Sequence, residues 1–191
     1  MFFAQIINAN ALTFNELPES IYIRNELQKT SRINVTTTQQ QIGLLELAPN
    51  KMSTFYYFDD QHQLQNTVIL KKRTLTGSAL EFDIVNQYQE KVASFKLYST
   101  GLSRPFVLLS KDNHLLLKGI PGLSPRTIWI TTAKKLIGNE SLAKIEHDYM
   151  DFHSQVFILN KKALTASGVD VHVFNIMLSL SYLYTTPLQV D

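Results

Sequence analysis

The sequence contains no cysteine at all. Disulfide staples and thiolate metal sites are therefore excluded, and a reducing, cytoplasmic setting is the expectation. Charge of one sign is also scarce: 18 Lys and Arg face 16 Asp and Glu, a net of +2. No overall field draws the chain to nucleic acid, so any electrostatic attraction must be local. Nor is there an N-terminal signal pattern. Residues 1–10 open with apolar side chains but lack a basic flank and meet Asn8 and Asn10 too early, so they read as an opening strand. Outside the C-terminal segment, no run approaches the roughly 20 apolar residues of a spanning helix. The strong catalytic signatures are missing too, with no glycine-rich phosphate loop, no G-x-S-x-G and no H-E-x-x-H. An enzyme is not expected, and no cofactor is implied.

What remains is an ordinary globular composition, 45% hydrophobic and 18% charged over 191 residues, enough for a single domain with one core. From residue 55 onward, short β-favouring runs alternate with polar turns, the pattern of an all-β sandwich or barrel. Residues 55–58 lead through Asp59, Asp60, Gln61 and His62 into 68–70. Residues 80–85 turn at Asn86 and Gln87 and return through 92–98, with Phe95 and Leu97 on one face and Lys96 and Tyr98 on the other. Residues 106–109 turn at Lys111, Asp112 and Asn113 and return through 115–117. Further strands are expected at 127–131, 143–145 and 156–159, with Asn160, Lys161 and Lys162 as a turn. In the first fifty residues, 5–7, 21–24, 33–37 and 42–47 fit strands less cleanly.

The segment 169–185 is different. It is apolar on nearly every side and lacks glycine and proline, so it predicts a helix, with Asp170 as N-cap or first-turn acid and Pro187 as its stop. A helix of that kind must be enclosed. A membrane anchor is the competing expectation, opposed by the shortness of the run and by His172, Asn175, Ser179 and Ser181 within it. His172 and Asn175 read as satisfied core or rim residues.

Many short strands followed by one apolar C-terminal helix resemble the tubby C-terminal-like superfamily, which includes phospholipid scramblases and plant LURP-one-related proteins. The matching stretches are 80–97, 105–117, 126–138 and 156–159, followed by 169–184, which together cover roughly the last 110 residues. The resemblance implies a closed antiparallel barrel of about twelve strands around a buried C-terminal helix, of the small bacterial type. The Asp-x-x-Gly turns usual in that group are absent, since Asn86 to Gln89 and Lys111 to His114 carry no glycine. A barrel plugged by its own helix has no chamber for a small ligand, so binding is expected on the outside.

The resemblance also implies a non-enzymatic binding or scaffold module. Its partner would be an anionic phospholipid headgroup or a protein, met as a peripheral rather than an integral membrane protein. Lys71, Lys72 and Arg73 form the densest anion-binding candidate, with Lys134, Lys135, Lys161 and Lys162 as lesser groups. No binding residue of the family aligns onto a particular lysine, and the acidic segment expected beside the helix of scramblases is missing, so scrambling is not inferred. The alternative is a metal-dependent protein or enzyme built on His147, Asp148, Asp151 and His153, two imidazoles and two carboxylates within seven positions. No nucleic-acid partner is expected, because the aromatic residues alternate as core positions do.

Overall fold

The computed structural model describes residues 12–25, 32–49, 51, 53–73, 79–98, 105–121, 127–132, 141–147 and 154–185. The expected strand at 1–10 and the turn at 136–138 lie outside these residues. Twelve strands run in chain order: β1 (Ser20–Asn25), β2 (Arg32–Thr36), β3 (Gln41–Leu47), β4 (Thr54–Asp59), β5 (Leu64–Arg73), β6 (Ala79–Asn86), β7 (Lys91–Tyr98), β8 (Phe106–Ser110), β9 (Leu115–Pro121), β10 (Thr127–Thr132), β11 (Ala143–His147) and β12 (Ser154–Leu159). Each pairs antiparallel with the next, and β1 pairs with β12, for example Ile21 opposite Phe157, so the barrel is closed. Closure leaves no strand edge exposed along the meander. Two helices follow, α1 (Lys161–Ser167) and α2 (Val171–Thr185).

Alternation along the strands places Ile21, Ile23, Ile33, Val35, Phe82, Ile84, Phe95, Phe106 and Phe157 in a core shared with α2. The helix supplies Phe174, Ile176, Met177, Leu178 and Leu180, all fully enclosed. Aromatic rings pack against the helix: Phe14, ahead of β1, meets Phe174 edge-on at 5.4 Å, and Phe82 of β6 meets Tyr184 at 5.5 Å. Two strand glycines admit rings that any side chain would block. A Cβ on Gly43 would fall 2.1 Å from the Tyr57 hydroxyl, and one on Gly119 would fall 2.3 Å from Cζ of Phe106.

Turns alternate between the two ends of the meander. The upper rim carries the turns before β3, β5, β7 and β9, and the chain leaves β12 there to form α1. Asn160, expected as a turn residue, is instead the N-cap of α1, its Oδ1 accepting from the Ala163 amide at 3.1 Å, so Lys161 and Lys162 begin a helix. Gly168 closes α1 in the left-handed region at φ 70°, and α2 sets off at 110° to α1. Asp170 caps α2 as expected, its Oδ1 accepting from the amides of His172 (2.9 Å) and Val173 (3.0 Å). Ser179 and Ser181 donate back to the carbonyls of Asn175 and Leu178, so both hydroxyls are satisfied within the helix. No single helix among the described residues is long and apolar enough to cross a membrane, although α1 and residues 171–184 of α2, bent by 110° at the break between them, together have the length and composition for it. Charged side chains occupy the outer face of β5 to β7 while the interior is apolar, the reverse of the pattern in transmembrane barrels.

Three upper-rim turns share one construction. In 59–63, 86–90 and 110–114 the first residue accepts with its side-chain oxygen from the amides two and four positions on. Asp59 takes Gln61 and Gln63, Asn86 takes Tyr88 and Glu90, and Ser110 takes Asp112 and His114. The fourth residue of each is left-handed without being glycine: His62 (φ 61°), Gln89 (φ 64°) and Asn113 (φ 63°). This accounts for the missing Asp-x-x-Gly signature, since the geometry is kept and a polar side chain stands where glycine is usual. His62 stacks on Phe58 at 5.2 Å, and asparagine tolerates the conformation, whereas Gln89 has neither support. Gln89→Gly is expected to raise stability by about 0.5–1 kcal/mol in urea unfolding, more than Asn113→Gly. Met177→Asp buries an unpaired charge against the wall and is expected to cost on the order of 4 kcal/mol, read as loss of the cooperative thermal transition. A folded, equally stable variant would contradict the enclosed position of α2.

Candidate functional site

The basic triplet lies at the lower end of β5, and a bulge there decides where each side chain goes. Leu70 pairs with Phe82 and Lys72 with Glu81, which leaves Lys71 as the extra residue. Leu70 therefore faces the core, while Lys71 and Lys72 both lie on the outer wall. Arg73, opposite Leu80, returns to the inner side at the rim. There its guanidinium acts on Tyr184 near the end of α2: burial pushes the Tyr184 phenol up, and Arg73 opposes that rise. All three side chains are exposed.

Lys71 is not a free cation. Its Nζ stands 3.9 Å from Asp83 on β6, which also holds Lys91 of β7 at 3.0 Å and accepts from the Ser94 hydroxyl at 3.0 Å. One register step lower, Lys96 meets Glu81 at 3.3 Å. The outer face of β5 to β7 is thus a ladder of cations from the two flanking strands, β5 and β7, threaded by two carboxylates of β6. Lys72 and Arg73 have no ion pair among the described residues. Lys91 and Lys96 escaped notice in the sequence because only the register brings them beside Lys71.

Charge is also sorted along the barrel axis. Among the described residues, Arg24, Arg32, Lys51, Lys71, Lys72, Arg73 and Lys96 lie toward the lower rim against Glu46 and Glu81, with Asp83 and Lys118 at mid-height. Toward the upper rim lie Glu16, Glu19, Asp59, Asp60, Glu90, Asp112 and Asp170, against Lys91, Lys111, Lys144, Lys161 and Lys162. Arg32 is paired with Glu46 at 3.8 Å, and Arg24 stands over the Tyr22 ring at 5.2 Å. Among the described residues, therefore, the lower end is basic and the upper end acidic.

The competing cluster is only partly within view. His147 ends β11, while Asp148, Asp151 and His153 lie outside the described residues, as do Lys134 and Lys135. Among the described residues no group of three or more His, Asp or Glu could hold a metal.

A second polar group sits inside the barrel. Asn175, fully buried on α2, donates from Nδ2 to the Tyr57 hydroxyl at 3.1 Å, and the His172 ring lies 5.8 Å from the Tyr57 ring. Burial pushes the Tyr57 phenol far above its ordinary range, with the carboxylates of Asp170, Asp59 and Asp60 adding to the rise and the Asn175 bond opposing it. Tyr57 is therefore a neutral anchor rather than an acid. The expectation that His172 and Asn175 are satisfied holds only in part, because His172 Nδ1 and Asn175 Oδ1 are buried without a partner.

No family model matches the chain, and no curated protein does either. Among solved structures, the chain is similar to an X-ray structure of a protein from Arabidopsis thaliana, with a TM-score of 0.55 and 9% sequence identity, covering 87% of this chain and 90% of that one. At that identity the likeness is one of fold.

Proposed function

We propose that this chain is a tubby-like barrel that works as a non-catalytic binding module, docking its basic lower rim on an anionic phospholipid surface. The observation that carries this reading is the sorting of charge along the axis among the described residues, where Lys72 and Arg73 at the lower end of β5 have no ion pair. Three further facts support it. The interior is occupied by α2, so recognition falls to the exterior. The bulge at Lys71 turns two consecutive lysines outward where simple alternation would turn one inward. The fold is shared with the Arabidopsis protein over most of both chains.

The magnitudes are consistent with reversible docking. A six-residue strand spans about 20 Å, whereas charges are screened over about 8 Å at physiological salt. The acids of the upper rim therefore do not cancel the attraction of the lower one. Each basic residue close to an anionic leaflet contributes on the order of 1 kcal/mol, so Lys51, Lys72 and Arg73, joined by the partly neutralised Lys71, give a modest and salt-sensitive association. The reading carries with it a peripheral, cytoplasmic location.

Co-sedimentation with phosphatidylserine vesicles, with and without added phosphoinositide, tests this at low and physiological salt. Wild type is expected to bind anionic vesicles and not neutral ones. A Lys71→Ala, Lys72→Ala, Arg73→Ala variant should lose at least tenfold in affinity at low salt, while Asp60→Asn with Asp112→Asn at the upper rim changes little. Equal binding by wild type and the triple variant, or none by either, would reject the proposal.

A further inference from the structure

We propose that the barrel binds one ordered water molecule between α2 and β4, held by the Asn175 side-chain oxygen, the His172 imidazole and the Tyr57 hydroxyl. His172 and Asn175 are three residues apart on α2 and so share a face. Each presents an atom with almost no accessible surface and no hydrogen-bond partner: Nδ1 of His172 and Oδ1 of Asn175. Beside them lies Tyr57, whose ring is 5.8 Å from that of His172 and whose hydroxyl oxygen already accepts from Asn175 Nδ2 at 3.1 Å, leaving its proton to donate.

Buried polar groups in folded proteins are nearly always bonded, and an internal water characteristically joins two to four of them. A single water meets all three requirements here. It accepts from the Tyr57 hydroxyl, donates to Asn175 Oδ1, and exchanges one further bond with His172 Nδ1 in whichever tautomer the ring adopts. Turning the Asn175 amide over does not remove the need, because the orphan then becomes the nitrogen. Gly43 holds the phenol at this spot, since any side chain there would collide with its hydroxyl. His172, the second residue of α2, is only half-buried and stands near the upper rim, its amide bonded to the Asp170 cap.

The water would thus couple the position of α2 to β4 through atoms that direct contacts leave unmet. A high-resolution crystal structure of the full chain is the first test. Density for a water about 2.7–3.2 Å from both Asn175 and His172 is expected. Direct protein donors and acceptors on those two atoms, with no water, would overturn the proposal.

The second test is a double-mutant cycle with Asn175→Leu and His172→Phe, whose orphan atoms share no direct bond, read as folding equilibrium constants. The double variant, which dries the site, should retain at least tenfold more of the folding constant than the product of the two single losses implies. Additive losses would overturn the proposal. Should either variant fail to fold, long-residence water seen by magnetic relaxation dispersion of the wild-type protein, and lost in Tyr57→Phe, serves in its place. Unchanged dispersion in that variant would count against the site.

Discussion

The rest of this structure depends on the need to enclose a helix that has no solvent-facing side. From Val171 to Tyr182 almost every position of α2 is buried, including Asn175, Ser179 and Ser181. Such a helix cannot lie on a surface, and a wall on one side alone would leave half of it wet. A sheet closed on itself surrounds it, and the same closure removes the edges that an open meander would expose. Helix and barrel are therefore each the condition for the other. Uniform hydrophobicity has a cost in definition, however, because apolar packing alone sets the rotation of a featureless cylinder weakly. The bond from Asn175 to Tyr57, seated on Gly43, supplies a polar mark on one face of α2, and the Asp170 cap fixes its start.

Filling the interior leaves the outside as the surface open to other molecules, and among the described residues the outside is not uniform. Three lysines from β5 and β7 pair with Glu81 and Asp83 of β6 on the outer wall, and the lower rim adds Arg73 beside Tyr184. The upper rim is acidic and built from repeated turns in which a side-chain oxygen organises the backbone. Structural and exposed roles are thereby separated along one axis: the plug enters from the acidic end, and the unpaired cations lie at the other.

Much of the fold could be read from the sequence because alternation and turn chemistry are local signals. The strands from residue 55 onward, the helix beginning at Asp170 and its enclosure all follow from period and from the absence of a polar face. What stayed hidden depended on longer-range geometry or on short signals. Helix α1 has seven residues and one buried side chain, Leu164, so Asn160 looks like a turn residue until its cap bond is seen. The three matching turns are disguised because His62, Gln89 and Asn113 replace glycine in the left-handed position. The basic triplet was visible as a run, but its division into Lys71 and Lys72 outside and Arg73 at the rim required the bulge, and its neighbours Lys91 and Lys96 required the register. Tyr57 and Asn175, 118 positions apart, carry no sequence signal linking them.

The central claim, that α2 is the enclosed plug on which barrel closure depends, is tested most directly by native-state hydrogen exchange on the intact chain. If the claim holds, the amides of residues 174–182 exchange only through global unfolding, with the same free energy and denaturant dependence as the best protected amides of β6 and β7. Exchange of those α2 amides through a smaller opening, while the β6 and β7 amides remain protected, would show that the barrel stands without its helix and would contradict the account.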